Sequence, residues 1–444
     1  MQKFLKITLL INNHFCKWIA LYNIESLFQS TKMRYLFLIV SIGLFSCQNK
    51  ANTIHKNADT LRLKPRNLSY KTADTIVITG AEQTALYLPI IKGKTIALVV
   101  NQTSVIGKTH LVDSLIRLGV KVKTIFAPEH GFRGDHSAGA KVNSAIDPKT
   151  GIKITSLYGK NKKPAKEDLL GIDFVIFDIQ DVGVRFYTYI STMHYVMESC
   201  TENNIPFIIL DRPNPNGFYV DGPVLDIKFK SFIGMHPVPL VHGMTVGEFA
   251  QMIQGENWMG EGKKCQLTVI KLKGYTHHTM YKLPIRPSPN LASMESVYLY
   301  PSLGLFEGTN VSVGRGTPKP FEWLGRPGLK NGSTVFTPKK IPGVADDPPY
   351  EGKECRGILL TEFCNHYLLE SKQVYVDWLL LFYKSNMPEN GEFFKTSSFD
   401  RLAGSDKLRL QIMEGKTAAQ IRESWKEDLK NYEAMRQTYL LYEL

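Results

Sequence analysis

Four short apolar runs constrain this chain most. TIALVVN (95–101), FVIFDI (174–179) and FIIL (207–210) are hydrophobic almost throughout, and VKVKTIFA (120–127) becomes so after an alternating start. Strands of that kind belong to parallel sheets covered on both faces. The intervening segments have helical spacing. THLVDSLIRLG (109–119) places Leu111, Leu115 and Leu118 on one helical face and stops at Gly119, and YISTMHYVMESCTENN reads as a helix leading into FIIL. This alternation predicts an α/β fold, a Rossmann-like doubly wound parallel sheet, over residues 81–255. Thr245 and Glu248 in MTVGEFAQMI have capping-box spacing and predict the start of a further helix. From residue 256 proline and glycine break the pattern into short irregular pieces, and the last stretch, AAQIRESWKEDLKNYEAMRQTYLLYEL, turns helical. A second, smaller α+β C-terminal domain is therefore expected over 256–444.

The 444 residues are 43% hydrophobic and 21% charged, enough apolar content for a sizeable core. The formal charge of +13 is spread along the chain, and no zinc-finger spacing or aromatic RNA-binding motif accompanies it, so nucleic acid is not an expected partner. Met33-Arg34, the apolar run Tyr35–Phe45 and Ser46-Cys47 have the order of an export signal, with a hydrophobic stretch too short to span a bilayer comfortably. The pattern is similar to a bacterial lipoprotein signal with Cys47 as the lipidated residue. Residues 1–47 are then leader and 48–80 a polar linker. The expected location is the cell envelope, exported and held to a membrane by the lipid, facing the periplasm. Cys200, Cys265, Cys355 and Cys364 form no C-x-x-C pair, and Cys200 falls on a helical apolar pattern that predicts a buried free thiol.

In open parallel sheets, ligands bind beyond the carboxyl ends of the strands. The unusual polar residues cluster there: Asn101 after the first strand; Glu129, His130 and Arg133 after the second; Gln180, Asp181, Arg185 and Tyr187 after the third; Arg212 and Asn214 after the fourth. His242 precedes the capped helix, Asn290 ends PSPN, and Glu307 and Arg315 lie in LFEGTNVSVGRGT. Each has a structural alternative. Glu129 can cap a helix or neutralise Arg133, Asp178 can be a core carboxylate, Asp211 and Arg212 can lock a loop, and Asn214 can form a turn. No G-x-G-x-x-G, P-loop, nucleophile elbow or H-E-x-x-H is present, so no dinucleotide, other cofactor or metal is expected. Carboxylates, imidazole, arginines, amides and tyrosine suit acid–base hydrolysis of an oxygen-rich substrate such as a sugar.

APEHGFRG, DIQDVGVRFYTYISTM, LDRPNPNG, PLVHGMTVGE, PSPN, EGTNVSVGRGT and the helical tail together resemble the exo-β-N-acetylmuramidase family of peptidoglycan hexosaminidases, over residue 85 to the end. The resemblance implies an active site in the cleft between a Rossmann-like domain and a smaller one. It also implies release of terminal N-acetylmuramic acid from the non-reducing end of peptidoglycan fragments, and it places the family's cleft glutamate on Glu129. On that reading Glu129 is the general acid/base and His130 tunes it. The second group is Asp181, Glu307 or the substrate's own acetamido oxygen. Arg133, Arg185, Arg212 or Arg315 would bind the lactyl carboxylate, and Tyr187 or Tyr189 would stack on the ring. The rival reading is a lipid-tethered wall-binding protein without chemistry.

Overall fold

The computed structural model describes residues 76–129, 131–132, 145–386 and 391–444. Cys47 and the leader lie outside the described residues, as do most of the linker and both His130 and Arg133. The linker was expected to run to residue 80, but Ile78 already pairs with Lys273 through two backbone hydrogen bonds of 2.9 and 3.0 Å.

The apolar runs build a seven-stranded sheet. Its strands are β1 Thr95–Val100, β2 Lys121–Ala127, β3 Ala145–Ile146, β4 Lys153–Ser156, β5 Phe174–Asp178, β6 Phe207–Leu210 and β7 Leu267–Ile270. The order is β3-β4-β2-β1-β5-β6-β7, parallel except for β3 against β4. β7 lies past residue 255, so the large sheet draws on residues from both sides of that expected boundary. Its LTVI run is too short to stand out by period alone.

Successive side chains of a strand point to opposite faces, and the burial follows. Ala97, Val99, Val175, Phe177, Phe207 and Ile209 join one core; Ile96, Leu98, Val100, Ile176, Ile208 and Leu210 join another. The second core is closed by α1 (Thr84–Ile91) and α2 (Leu111–Arg117), through Tyr87, Ile91, Leu111 and Leu115. Leu118, expected on that buried face, is instead the C-cap of α2 and is exposed, because the chain turns at Gly119. The first core takes α3 (Tyr189–Glu202) and α4 (Val246–Gly255). The α4 capping box is present, with Thr245 Oγ1 accepting from Glu248 N and Glu248 Oε2 accepting from Thr245 N.

The C-terminal part adds α5 (Met294–Leu303) and the antiparallel strands β8 (Trp323–Arg326), β9 (Thr334–Phe336) and β10 (Cys355–Leu359), in the order β8-β10-β9. Helices α6 to α10 follow, at Asp377–Lys384, Thr396–Ala403, Lys407–Met413, Ala418–Glu423 and Lys426–Gln437. Phe306, Trp378, Phe399 and Tyr432 of this part share the first core with Phe177 and Phe249. All four described cysteines are buried free thiols. Among the described residues, no helix is long and apolar enough to cross a membrane.

Candidate active site

β1 sends the chain to β2 on one side, whereas β5 sends it to β6 on the other. The crevice between β1 and β5 is thus the switch point where open sheets bind ligands. The segment after β5 runs along it. Phe186, Tyr187, Thr188 and Tyr189 line a hollow together with Tyr300, Arg315 and Phe321 from the C-terminal part. Glu129 lines the same hollow. The Gly131 amide donates to the Pro128 carbonyl at 3.1 Å and closes the turn that carries Glu129, with Gly131 at φ +77°, where a side chain would be strained. The cavity itself is small, about 60 Å³.

Two hydrogen bonds set the width of the cleft. The Pro287 carbonyl accepts from Gln102 Nε2 at 3.1 Å and from Tyr187 Oη at 2.8 Å. PSPN is thereby moored to the strand ends of the sheet, and Ser288, Asn290 and Leu291 enter the lining. Tyr187 stands edge-on to Tyr189 and Tyr300, with centroids 4.9 and 5.9 Å apart. Phe321 is fully buried at φ +59°, a backbone conformation that costs a bulky residue on the order of 1–3 kcal/mol. Its ring lies against the Arg315 guanidinium, 5.0 Å away.

The charge of Glu129 reaches several groups of the hollow. Tyr158 hydrogen-bonds to it, and burial, followed by the charge of Glu129, holds the Tyr158 hydroxyl well above its ordinary range. Tyr189 is raised by burial and by the same carboxylate. Arg315 donates from Nε to Glu307 Oε1 at 2.7 Å. Despite burial, which works the other way, Glu307 in first place and Glu129 in a lesser one keep this guanidinium firmly charged.

The remaining expected residues separate by burial. Arg185 donates to the carbonyls of Pro223, Val238 and Leu402 at 2.7, 2.8 and 3.0 Å, with no carboxylate beside it. Burial lowers it to about 9. A Cβ on Gly404 would stand 2.6 Å from its guanidinium, so this arginine is a strut between the two parts of the molecule and does not face substrate. Arg212 makes a buried two-pronged pair with Asp178, Nε to Oδ1 at 2.5 Å and Nη2 to Oδ2 at 2.9 Å, and is likewise withdrawn. Gln180 spends its amide on the Asp181 and Pro213 carbonyls, and Asn214 donates to Met244 O and accepts from Asn216 N. These two shape loops.

Asp181 and Glu307 do not line the hollow. Glu307 is paired with Arg315. Asp181 is buried behind the tyrosines, accepting from Gly183 N at 2.6 Å through Oδ2 while Oδ1 has no partner. His242 Nδ1 accepts from Met244 N, which places its proton on Nε2, 3.8 Å from Asp181 Oδ2. Burial, helped by Arg436 and Arg185, pushes His242 down to about 3, so it is neutral.

Burial raises Asp181 from 3.8 to about 7. Below pH 3.8 the carboxyl is protonated in both folded and unfolded chains, and burial adds no ionisation cost. Between 3.8 and about 7 the unfolded chain ionises while the folded one keeps its proton, so stability falls as pH rises; above about 7 the loss is complete. The ceiling on this loss is ~4 kcal/mol. Asp181→Asn keeps the acceptor for Gly183 and cannot ionise. Its gain in thermal stability over the parent is expected to grow between pH 4 and 7 and then level off; a gain flat with pH would contradict the assignment.

Tyr300, Tyr189, Ser288 and Phe321 complete the hollow. Tyr189 was expected only as an alternative stacking residue. Tyr300 and Phe321 carry no local sign of a site, whereas the paired glycines around Arg315 point to that loop.

Residues 96–295 match the family described as exo-β-N-acetylmuramidase NamZ, N-terminal, and residues 298–442 match its C-terminal counterpart. The chain is 41% identical over 377 residues to the peptidoglycan β-N-acetylmuramidase NamZ of Bacillus subtilis, covering 80% of this chain and 89% of that protein. Two crystal structures of DUF1343 family proteins from Bacteroides fragilis are similar. One has a TM-score of 0.77 at 46% identity and covers 83% of this chain and 99% of that one. The other has a TM-score of 0.70 at 28% identity and covers 85% and 100%. With both halves matched in order, the chain belongs to the exo-β-N-acetylmuramidase NamZ family of glycoside hydrolases.

Proposed function

We propose that this chain releases terminal N-acetylmuramic acid from the non-reducing end of peptidoglycan fragments, with Glu129 as general acid/base. The observation that carries the reading is the place of Glu129. It is the carboxylate among the described lining residues of a hollow walled by both halves of the chain, with Tyr158 holding it and Arg315 across the space. Glycoside cleavage needs a proton for the leaving oxygen and a group to meet the positive charge at the anomeric carbon. Asp181 and Glu307 stand off the lining, which favours the substrate's acetamido oxygen for the second role. With Arg185 and Arg212 committed elsewhere, Arg315 is the described arginine that serves a lactyl carboxylate. Its Nε holds Glu307, and the other two nitrogens of the fork remain for a planar anion.

The test is an assay with paired chromogenic substrates, a β-N-acetylmuramide and the matching N-acetylglucosaminide. Release from the muramide in clear preference is expected. Binding without release would return the non-catalytic wall-binding reading, and equal release from both would remove the lactyl group from recognition. The leader supports a further part of the proposal, export to the cell envelope with a lipid on Cys47 that holds the enzyme to a membrane, periplasm-facing and beside its polymer. Fatty-acid labelling that persists in a Cys47→Ser chain would overturn it.

A further inference from the structure

Three buried side chains around the cleft, Asn101, Tyr189 and Asn290, keep a polar atom without a protein partner: Asn101 Nδ2, Tyr189 Oη and Asn290 Oδ1. Such groups are costly unless something arrives to pair with them. Tyr189 and Asn290 line the hollow. The Tyr189 hydroxyl lies within reach of the Asn101 amide and of the Tyr187 hydroxyl, and neither contact has the geometry of a full hydrogen bond.

The polarity of both amides is fixed from behind. Asn101 Oδ1 accepts from Thr103 N at 2.9 Å and from Thr103 Oγ1 at 2.6 Å, so the oxygen faces the turn and the Nδ2 donor faces away from it. Asn290 Nδ2 donates to the Val344 carbonyl at 2.8 Å, which leaves Oδ1 as the acceptor on the other side. An amide has one acceptor and two donors, and these bonds decide which end each asparagine presents. A donor beside the tyrosine oxygen turns the hydroxyl proton outward. The cleft then offers one O–H donor and one carbonyl acceptor, each nine-tenths or more buried.

We infer that Asn101, Tyr189 and Asn290 form a subsite for a secondary amide, the 2-acetamido group of the sugar. Tyr189 Oη donates to the acetyl oxygen, Asn290 Oδ1 accepts from the amide N–H, and Asn101 Nδ2 stands behind Tyr189 as a positioning residue. A 2-hydroxyl carries its donor and its acceptor on one oxygen, without the separation between an amide's N–H and its carbonyl, and a charged 2-amino sugar brings only donors, so the secondary amide is the better match. The inference rests on the muramidase reading of the same cleft and adds which atoms select the N-acetylated substrate.

Tyr189→Phe removes a hydroxyl that makes no hydrogen bond of full geometry in the protein, so folding is expected to be unchanged by thermal melting. Asn101→Asp keeps the acceptor for Thr103 but replaces the donor facing Tyr189 with an oxygen that draws the hydroxyl proton back. Two readouts apply to the whole chain. The first is kcat/KM on an aryl β-N-acetylmuramide. The second is calorimetric binding of N-acetylmuramic acid and of its 2-hydroxyl counterpart, a comparison that does not depend on the acetamido oxygen taking part in the chemistry. The expected result for Tyr189→Phe is a loss of roughly 10- to 100-fold in kcat/KM and in binding of the acetamido sugar, with little change in binding of the 2-hydroxyl one. Asn101→Asp follows in the same direction. A binding preference for the acetamido sugar retained in both variants, or an equal loss of binding for both sugars, overturns the subsite. If the parent enzyme does not cleave the muramide, the hydrolase reading fails. The binding arm still decides the subsite, because preferential binding of the N-acetyl sugar that Tyr189→Phe abolishes supports it and unchanged preference sinks it.

Discussion

Replacing Glu129 with Gln is expected to lower turnover on the muramide by roughly 10²–10⁴-fold, the size of a positioned proton transfer, with little change in KM. The glutamine matches the shape of the carboxyl group and can still meet Tyr158, but it has no acidic proton for the leaving oxygen. The side chain is half-buried on a turn at the rim of the sheet and belongs to neither hydrophobic core, so the melting temperature should stay within a degree or two of the parent. Pre-steady-state and steady-state assays with unfolding scans on the same preparations separate the effects. Turnover near that of the parent would remove Glu129 from the chemistry, and a collapsed melting transition would make it a structural residue.

The second large effect concerns stability. Asp178 and Arg212 are almost wholly withdrawn from water, and burial raises the Asp178 carboxyl even though Arg212 works in the opposite direction. Arg212→Met leaves that carboxylate alone in an apolar wall, and removing one partner of such a pair costs about 3–5 kcal/mol. The companion Asp178→Leu/Arg212→Met chain is expected to recover most of the loss, because the pair is repaid only while both ions are present. Urea midpoints of the three proteins measure this directly. A single variant as stable as the parent would mean that water reaches the pair. The same result bears on substrate recognition: if Arg212 held the lactyl group, its replacement would lower activity in a protein of normal stability.

Much of the fold was legible because three strands are apolar on nearly every residue and β2 is so over its second half, a pattern with few alternatives, and because Thr245 and Glu248 mark a helix start through local chemistry. β7 was not legible. Four residues with two half-exposed positions look like many loops, and only pairing with β6 makes them a strand. In the site, Glu129 and Tyr187 after strands, Asn290 at the end of PSPN and Arg315 between glycines were picked out as polar candidates, and all four line one hollow. Arg185 and Arg212 were indistinguishable from them in sequence. An arginine after a strand reads the same whether it faces solvent or donates to buried carbonyls, and the deciding partners, Leu402 and Asp178, are 217 and 34 residues away. Tyr300 and Phe321 reach the cleft only through the packing of the second part, which no local pattern encodes. The polarity of Asn101 and Asn290 was equally hidden, since a sequence names an amide but not which end it shows.

The central claim is that the carboxyl of Glu129 delivers the proton to the bond being cut. The most direct measurement is a crystal structure of the Glu129→Gln protein with an uncleaved disaccharide bearing N-acetylmuramic acid at its non-reducing end. The account predicts the residue-129 amide within about 3.2 Å of the glycosidic oxygen, the sugar between Tyr187 and Arg315, and the lactyl group toward the guanidinium. A disaccharide seated away from this hollow, or one whose glycosidic oxygen is out of reach of residue 129, would contradict it.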